Sequence, residues 1–70
     1  MSIRVDARGL SCPQPVILTR QAINRGQYPI IVQVDTVTSR ENVRRMAEKQ
    51  GCTVTYRESG DGFELTLNKA

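Results

Sequence analysis

Apolar and polar residues alternate at the start of the chain, where Ile3 and Val5 are interleaved with Arg4 and Asp6. This period of two predicts a short strand. Residues 7–11 follow it, and their composition predicts a turn-rich loop.

Two prolines mark the start of the next element. Pro13 and Pro15 fit a helix only in its first turn, where a missing N–H group costs no helical hydrogen bond. A helix is therefore predicted from about residue 13 to residue 24, and Gly26 ends it. Its core stripe is expected to contain Pro15, Leu18 and Ala22 beside Val16, Thr19 and Ile23, with Arg20, Gln21 and Asn24 facing water.

A dense apolar run with β-branched residues at positions 29–35 predicts a central strand that is buried on at least one face. After a short connection, Thr38 and Glu41 have the spacing of a capping box, which predicts the start of a second helix. Gly51 is expected to end that helix. Its predicted inner face consists of Val43, Met46, Ala47 and Gln50.

Alternation with a period of two returns in the last third of the chain. It predicts strands at residues 52–57 and 63–68, joined by a hairpin turn at residues 59–62. The predicted order is βαβαββ. Because βαβ crossovers are right-handed, both helices are expected on one face of a mixed four-stranded sheet, which is an α+β fold. The polar alternation of the last two strands agrees with an open opposite face.

Composition narrows the classes of function. With 70 residues, 39% hydrophobic and 24% charged, residues 1–70 are expected to form a single small globular domain without a large enclosed active site. The net charge of +3 admits acidic protein partners or nucleic acid. One Phe, two Tyr and no Trp provide little surface for base stacking, so stable direct nucleic-acid binding is not expected.

The sequence also predicts a compartment. No apolar run approaches the ~20 residues of a membrane span, and the first strand pattern begins too early for a secretion signal. Two widely separated cysteines form no disulfide framework, and without histidine there is no zinc-finger spacing. We therefore expect a cytoplasmic protein with reduced thiols, without a membrane partner, a cofactor or a metal.

Cys12 falls at or next to the N-cap of the first predicted helix. Unpaired N–H groups and the positive end of the helix dipole favour an anion there, such as a thiolate or a persulfide. In this setting the pKa of a cysteine falls below its free value of ~8.5. Pro13 and Pro15 are expected to stiffen the first turn and to direct the thiol, while Gly9 lets the loop bend. The alternative is an inert, buried Cys12.

The cysteine spacing argues against a dithiol site. A thioredoxin-like site needs Cys-x-x-Cys, and Pro15 stands where the second cysteine would be. Cys52 opens the third predicted strand, at the end of the sheet opposite to Cys12. A strand of ~6 residues is ~20 Å long, whereas a disulfide needs Cα atoms within ~7 Å of each other. Cys12 is therefore expected to hold a sulfur until a partner's thiol takes it, and Cys52 to belong to the core.

Residues 6–16 read Asp-Ala-Arg-Gly-Leu-Ser-Cys-Pro-Gln-Pro-Val and closely resemble the signature of the TusA/SirA-like sulfurtransferases. The resemblance extends over essentially the whole chain, including Asp35 and Gly51. Together with Ser-Arg-Glu-Asn-Val at residues 39–43, the signature looks most like the YedF branch, which is linked to selenium metabolism. The resemblance implies a two-layer sandwich like the C-terminal domain of translation initiation factor three.

The same resemblance implies an activity. The family's cysteine, here Cys12, accepts a persulfide sulfur and relays it, which would make the chain a sulfurtransferase that works as a relay protein. The implied donor is a cysteine desulfurase or another persulfide donor, and a DsrE-like protein is an implied acceptor. Outlets in the family include tRNA thiolation, molybdenum cofactor assembly and sulfur oxidation, and nothing in the sequence selects one.

Three charged residues are expected near Cys12. Asp6 and Asp35 should end adjacent parallel strands at the same end of the sheet as Cys12, where their charges would oppose formation of the thiolate. A simpler role for both is loop capping, in which the carboxylate accepts hydrogen bonds from backbone N–H groups. Arg8 is expected either to offset these carboxylates and stabilise the anionic sulfur, or to be solvated.

Two surfaces are candidates for docking. Ile17 lies on the water-facing side of the first predicted helix and is either a lone exposed apolar residue or a partner contact. The second helix carries a cluster of cations, Arg40, Arg44, Arg45 and Lys49. This cluster is either a solvated face paired with Glu41 and Glu48, or a docking surface for an acidic partner.

Two other functions use the same fold. One is a non-catalytic regulatory or interaction module, and the other is a selenium carrier that employs the same residues. The intact Cys12, Pro13 and Pro15 favour chemistry over docking alone. In YedF-like proteins a DsrE-like domain follows such a domain, so the chain is either freestanding or the N-terminal piece of a longer protein.

Overall fold

The computed structural model of the protein describes residues 3–11 and 13–69. Within these residues the elements are β1 (Ile3–Asp6), α1 (Gln14–Arg25), β2 (Ile30–Val34), α2 (Val37–Lys49), β3 (Cys52–Ser59) and β4 (Gly62–Lys69). The predicted βαβαββ order is therefore confirmed.

The four strands form one mixed sheet in the order β1-β2-β4-β3. Strand β2 pairs in parallel with β1 and antiparallel with β4, and β4 pairs antiparallel with β3. Helix α1 packs against β1 and β2, whereas α2 packs against β3 and β4. The predicted α+β fold, with two helices on a mixed four-stranded sheet, is confirmed.

The core lies between the helices and one face of the sheet. Its centre is the side-chain row of β2 and β4 that faces the helices, formed by the fully buried Ile30, Val32, Val34, Leu65 and Leu67. Full burial of one such side chain stabilises a fold by about 1.5–3 kcal/mol. The intervening residues of both strands are only partly buried, so the opposite face of the sheet is open to solvent.

Helix α1 has the boundaries that its prolines and glycine predict. Pro13 is the N-cap, and Pro15 lies in the first turn. Gly26 ends the helix in the left-handed conformation with φ 72°, and its N–H group donates to the carbonyl oxygen of Ile23 at 3.0 Å. The buried residues of the predicted stripe are Pro15, Thr19 and Ala22, and the partly buried ones are Val16, Leu18 and Ile23.

The start of α2 differs from the prediction. The helix begins at Val37, and its N-cap is Thr36, whose hydroxyl oxygen accepts a hydrogen bond from the N–H group of Ser39 at 3.0 Å. Thr38 lies inside the helix. The predicted capping box is wrong, because the Glu41 carboxylate accepts hydrogen bonds from arginine side chains of the same helix.

The inner face of α2 is close to the predicted one. Val43 and Ala47 are fully buried, as expected, and Met46 is half-buried. Ser39 joins the buried row, whereas the predicted Gln50 is exposed because it is the C-cap of the helix. Neither helix in the described part of the chain is long and apolar enough to cross a membrane.

Arg40 connects α2 to the sheet. The central carbon of its guanidinium group lies 4.4 Å from the ring centroid of Tyr56 and 4.7 Å from that of Phe63. Both distances are within the range of a cation–π interaction. Arg40 Nε also donates to Glu41 Oε2 at 3.2 Å, so the stacked side chain is held from two sides.

Arg40→Gln is expected to lower the free energy of unfolding by about 1–2 kcal/mol, because it removes both the stacked cation and the packing of its side chain on two rings. Chemical denaturation at neutral pH measures the change. The matched control is Arg45→Gln on the same helix, which should change stability by less than about 0.5 kcal/mol. Equal stabilities of the two variants would contradict a structural role for Arg40.

Candidate functional site

Cys12 stands between Ser11 and Pro13 in the chain and lies outside the described residues. Both neighbours are exposed, in the connection between the end of β1 and the start of α1. The N–H group of Gln14 donates to the carbonyl oxygen of Ser11 at 2.9 Å, which closes a turn at the start of the helix. The described part of the candidate site is therefore the loop before Cys12 and the first helical turn after it.

Asp6 and Arg8 form the first anchor of the loop. Arg8 Nε donates to Asp6 Oδ1 at 2.9 Å, and Arg8 Nη2 donates to Asp6 Oδ2 at 3.0 Å. The backbone N–H group of Arg8 also donates to Asp6 Oδ1, at 3.2 Å. The Asp6 side chain therefore caps the loop backbone, which is the simpler of the two roles expected for it, and also holds the guanidinium group of Arg8.

Asp35 and Gly9 form the second anchor. The backbone N–H group of Gly9 donates to Asp35 Oδ2 at 2.8 Å, across a sequence separation of 26 residues. Gly9 has φ +76°, in the left-handed region that a side chain strains. Asp35 follows the end of β2, so this hydrogen bond ties the loop to the central strand.

The first turn of α1 has fewer backbone donors than an ordinary helix start. Pro13 and Pro15 carry no N–H group, and the N–H group of Gln14 is bonded to Ser11. The helix start therefore offers an anion fewer N–H groups than an ordinary first turn does. The positive end of the helix dipole remains, and no acidic residue in the first turn offsets it.

The two prolines differ in their surroundings. Pro13 is exposed, whereas Pro15 is fully buried. Pro15 also accepts a hydrogen bond at its carbonyl oxygen from the buried hydroxyl of Thr19, at 2.8 Å. Pro15 is therefore part of the core as well as of the helix start.

The Asp6 carboxylate is strongly stabilised as an anion. The side-chain hydrogen bonds from Arg8, followed by the backbone hydrogen bond from the same residue, lower the pKa of Asp6 from its ordinary value of 3.8 to about 2. The same pairing raises the pKa of Arg8. Because the pair is exposed, its contribution to stability is small. Its effect on the site is to offset one of the two carboxylate charges near the loop.

An open groove lies beside this loop, at the end of the sheet where β1 and β2 end. Asp6, Asp35 and Asp61 line it together with Arg8. Among residues 3–11 and 13–69, however, no group of three or more Cys, Asp or Glu side chains is placed to hold a metal ion. The charged side chains that line the groove therefore form a polar surface next to the loop.

Cys52 is far from the candidate site in the topology of the sheet. It is the first residue of β3 and pairs with Lys69, at the end of the sheet where β1 and β2 begin. Its side chain is buried, and its sulfur lies 3.6 Å from the hydroxyl oxygen of Tyr28. The expected placement of Cys52 in the core is confirmed.

Gly62 is a further residue of the site, and its sequence context predicts only a turn. A Cβ atom at this position would lie 3.0 Å from Asp35 Cα and even closer to the carbonyl oxygen of Val34. The start of β4 therefore packs directly against the backbone that carries Asp35. The glycine is visible in the sequence, but the backbone that it packs against, at Val34 and Asp35, is distant in the chain.

Three large apolar side chains near the same end of the sheet are exposed. Ile17, in the second turn of α1, has 41% of its surface accessible, and Leu10 and Val37 have 38% and 54%. The exposure of Ile17 is predicted from the sequence, whereas that of Leu10 and Val37 is not. Leu10 follows β1 and Val37 begins α2, so both lie near the end of the sheet where β1 and β2 end.

Comparison with known proteins finds similarity over nearly the whole chain. A family profile described as "Sulfurtransferase TusA" matches residues 3–69. A proposed sulfur carrier protein of Methanocaldococcus jannaschii is 33% identical, over 94% of this chain and 92% of its own length. The crystal structure of a SirA-like protein from Desulfitobacterium hafniense has a TM-score of 0.85 and 34% identity, and the match covers 96% of this chain and 95% of that one.

Arg8→Gln should raise the pKa of Asp6 from about 2 towards 3.8, because the hydrogen bonds from Arg8 are the main cause of the lowered value. In the unmodified protein the pair is intact above the ordinary pKa of Asp6 and is lost as the pH falls through about 2. Carbon-detected NMR titration of the Asp6 carboxyl measures both values. Arg4→Gln is the control and should leave the titration unchanged; an unaltered Asp6 pKa in Arg8→Gln would disprove the assignment.

Gly62→Ala is expected to lower the free energy of unfolding by about 1–3 kcal/mol, because the added methyl group must displace backbone atoms. It should also reduce the hydrogen-exchange protection of the Gly9 N–H group, since the displaced residue is the neighbour of Asp35. Asp61→Ala, in the same turn and exposed, should change neither quantity. Normal protection of Gly9 in a destabilised Gly62→Ala would show that the hairpin does not position the loop.

Proposed function

Because the chain belongs to the TusA sulfurtransferase family, we propose that it carries a sulfane sulfur as a persulfide on Cys12 and passes it to the thiol of a partner protein. The observation that carries this proposal is that the other cysteine of the chain, Cys52, is buried at the opposite end of the sheet. The buried Cys52 would then not take a sulfur from Cys12, because it lies at the opposite end of the sheet from the described loop that precedes Cys12. Such a site stores sulfur until another protein accepts it.

The chemistry consists of two exchange steps. In the first step, the Cys12 thiolate attacks the outer sulfur of the donor persulfide, and the S–S bond of the donor breaks as the new S–S bond forms on Cys12. The donor cysteine leaves as a thiolate. In the second step, the acceptor thiolate attacks the outer sulfur of the Cys12 persulfide. The outer sulfur is transferred to the acceptor, and Cys12 leaves as a thiolate. Each step moves one neutral sulfur atom between two thiolates, so neither step consumes an oxidant or a reductant.

We assign positioning roles to the two loop anchors. The hydrogen bonds from Arg8 to Asp6 and from Gly9 to Asp35 restrict the loop that leads into Cys12. An exchange step requires the attacking sulfur to approach along the S–S bond of its target, so a restricted loop reduces the entropy lost on alignment. Pairing with Arg8 also keeps the negative charge of Asp6 from acting fully on the thiolate.

The two prolines are proposed to restrict the other side of Cys12. Pro13 fixes its own φ angle and is exposed, so it limits motion without burying the segment. Pro15 anchors the helix start in the core. The positive end of the α1 dipole then favours the thiolate and the persulfide over their protonated forms.

A sulfur carrier needs a donor and an acceptor. We propose a cysteine desulfurase or another persulfide donor as the source and a DsrE-like protein as an acceptor, with the relay taking place in the cytoplasm. Residues 1–70 would act as one domain in this relay. The similarity to a proposed sulfur carrier supports the general role.

The proposal predicts that incubation with a purified cysteine desulfurase and cysteine adds the mass of one sulfur atom to Cys12, and that a reductant removes it. Mass spectrometry of the intact protein and of its peptides locates the sulfur. Cys12→Ser should abolish loading, because no other thiol is accessible.

The control for this experiment is Cys52→Ala, which should load as the unmodified protein does because Cys52 is buried. Loading that persists in Cys12→Ser, or that is found on Cys52, would refute the proposed carrier site.

A further inference from the structure

A groove on the described surface runs between α1 and α2. Pro13, Val16 and Met46 form its apolar floor, and Arg45, Glu48 and Lys49 contribute its charged rim. Val16 and Met46 are half-buried, so part of their apolar surface remains in contact with solvent. Pro13, which lines the groove, is the residue that follows Cys12 in the chain.

The cations of α2 divide into two groups with different contacts. Arg40 is stacked on Tyr56 and Phe63 and bonded to Glu41. Arg44 donates to Glu41 Oε1 at 2.7 Å, and this contact is the largest of the causes that lower the pKa of Glu41 to about 2. These two cations are therefore committed to contacts within the domain.

Arg45 and Lys49 form the second group. Both are exposed, and neither forms an ion pair with any residue of the described ranges 3–11 and 13–69. They lie four positions apart on the helix, so both side chains project from the same face. Glu48, the acidic residue on the rim, accepts a hydrogen bond from Arg44 Nη1 at 3.0 Å, which offsets its charge. The rim of the groove is therefore net positive.

We propose that this groove, formed by Pro13, Val16, Met46, Arg45 and Lys49, binds an acidic segment of the protein that exchanges sulfur with Cys12. The segment would place an aliphatic side chain on the apolar floor, and its carboxylates would pair with the two cations of the rim. This inference rests on the proposed function, because it identifies the surface that aligns the partner's sulfur with the carrier. Of the four cations on the second helix that the sequence suggested as a docking surface, only Arg45 and Lys49 belong to the proposed one.

The chemistry of the groove favours a protein segment over nucleic acid. Two cations above an apolar floor provide few phosphate contacts, and none of the described residues that line the groove has an aromatic side chain on which a base could stack. A second copy of this chain is disfavoured as well, because two such grooves would bring the same positive charges together. An acidic segment with one apolar residue matches both the floor and the rim.

The first test compares two double variants with the same change in charge. Arg45→Glu with Lys49→Glu reverses the rim, whereas Arg4→Glu with Lys69→Glu reverses an Arg and a Lys that do not line this groove, and each pair lowers the net charge from +3 to −1. Loading of Cys12 by the desulfurase should become about tenfold slower in the rim variant relative to the control variant. The loading rate of the rim variant should also depend much less on salt concentration than the loading rate of the unmodified protein does.

Direct loading with inorganic polysulfide separates this proposal from the proposed function. Polysulfide transfers its sulfur to the thiolate without a docking surface, so both double variants should load as the unmodified protein does. If polysulfide and desulfurase both fail to load the unmodified protein, the carrier function is wrong. If polysulfide loads all forms and the desulfurase loads both variants equally, the carrier function stands and the groove proposal is overturned.

The second test uses short peptides as probes of the groove. The acidic peptide acetyl-Asp-Glu-Leu-Asp-Glu-amide should shift the amide NMR signals of Val16, Met46 and Arg45. The basic peptide with lysine at the four charged positions, and the acidic peptide with serine in place of leucine, should shift them at least about tenfold less at equal concentration. Equal shifts with either control peptide would overturn the proposal.

The same NMR signals also test the two other candidate occupants of the groove, a nucleic acid and a second copy of this chain. Binding of an unmodified tRNA transcript at these residues, more tightly than the acidic peptide, would assign the groove to nucleic acid instead. Concentration-dependent dimerisation in sedimentation experiments, with the same signals affected, would assign it to a second copy of the chain. Either result would overturn the proposal, whereas a monomer that binds the acidic peptide selectively would support it.

Discussion

The central strand β2 carries three fully buried apolar residues, and the fold buries them only by pairing the strand on both edges and covering one face with helices. Because β1 runs parallel to β2, the carboxyl ends of both strands meet at one edge of the sheet. This edge is where Asp35 reaches the backbone of Gly9. The loop before Cys12 is thereby attached to the most buried strand of the domain.

The antiparallel partner of β2 extends the same constraint to the end of the chain. Strand β4 enters the sheet between β2 and β3, and its first residue, Gly62, packs against Val34 and Asp35. A larger residue would push apart the backbone that holds the carboxylate. Gly62 thus connects the hairpin to the end of β2, and Asp35 connects the end of β2 to the loop before Cys12. A displacement at one of these three positions therefore affects the other two.

Helix α2 separates structural charges from available ones. Arg40 and Arg44 are used within the domain, through aromatic stacking and through ion pairs with neighbouring carboxylates. Arg45 and Lys49 line a groove that Pro13 also lines. In the proposed relay, the charges of Arg45 and Lys49 steer an oppositely charged partner towards the groove. They are available for this role because the packing of the helix does not use them.

Periodicity, prolines and glycines act on their immediate neighbours, so the order of the elements, the α+β class and the candidate cysteine could all be predicted from the sequence. The assignment to the YedF branch stays a prediction. The capping-box spacing predicted Thr38 as the N-cap of α2, whereas the structure has Thr36 there. Both residues offer the same hydroxyl, so local chemistry alone does not separate them. The bond to Asp35, the close approach of Gly62 and the stacking of Arg40 were decided by the tertiary structure alone. Each joins residues that are distant in the chain, and no local pattern records which strands will lie side by side.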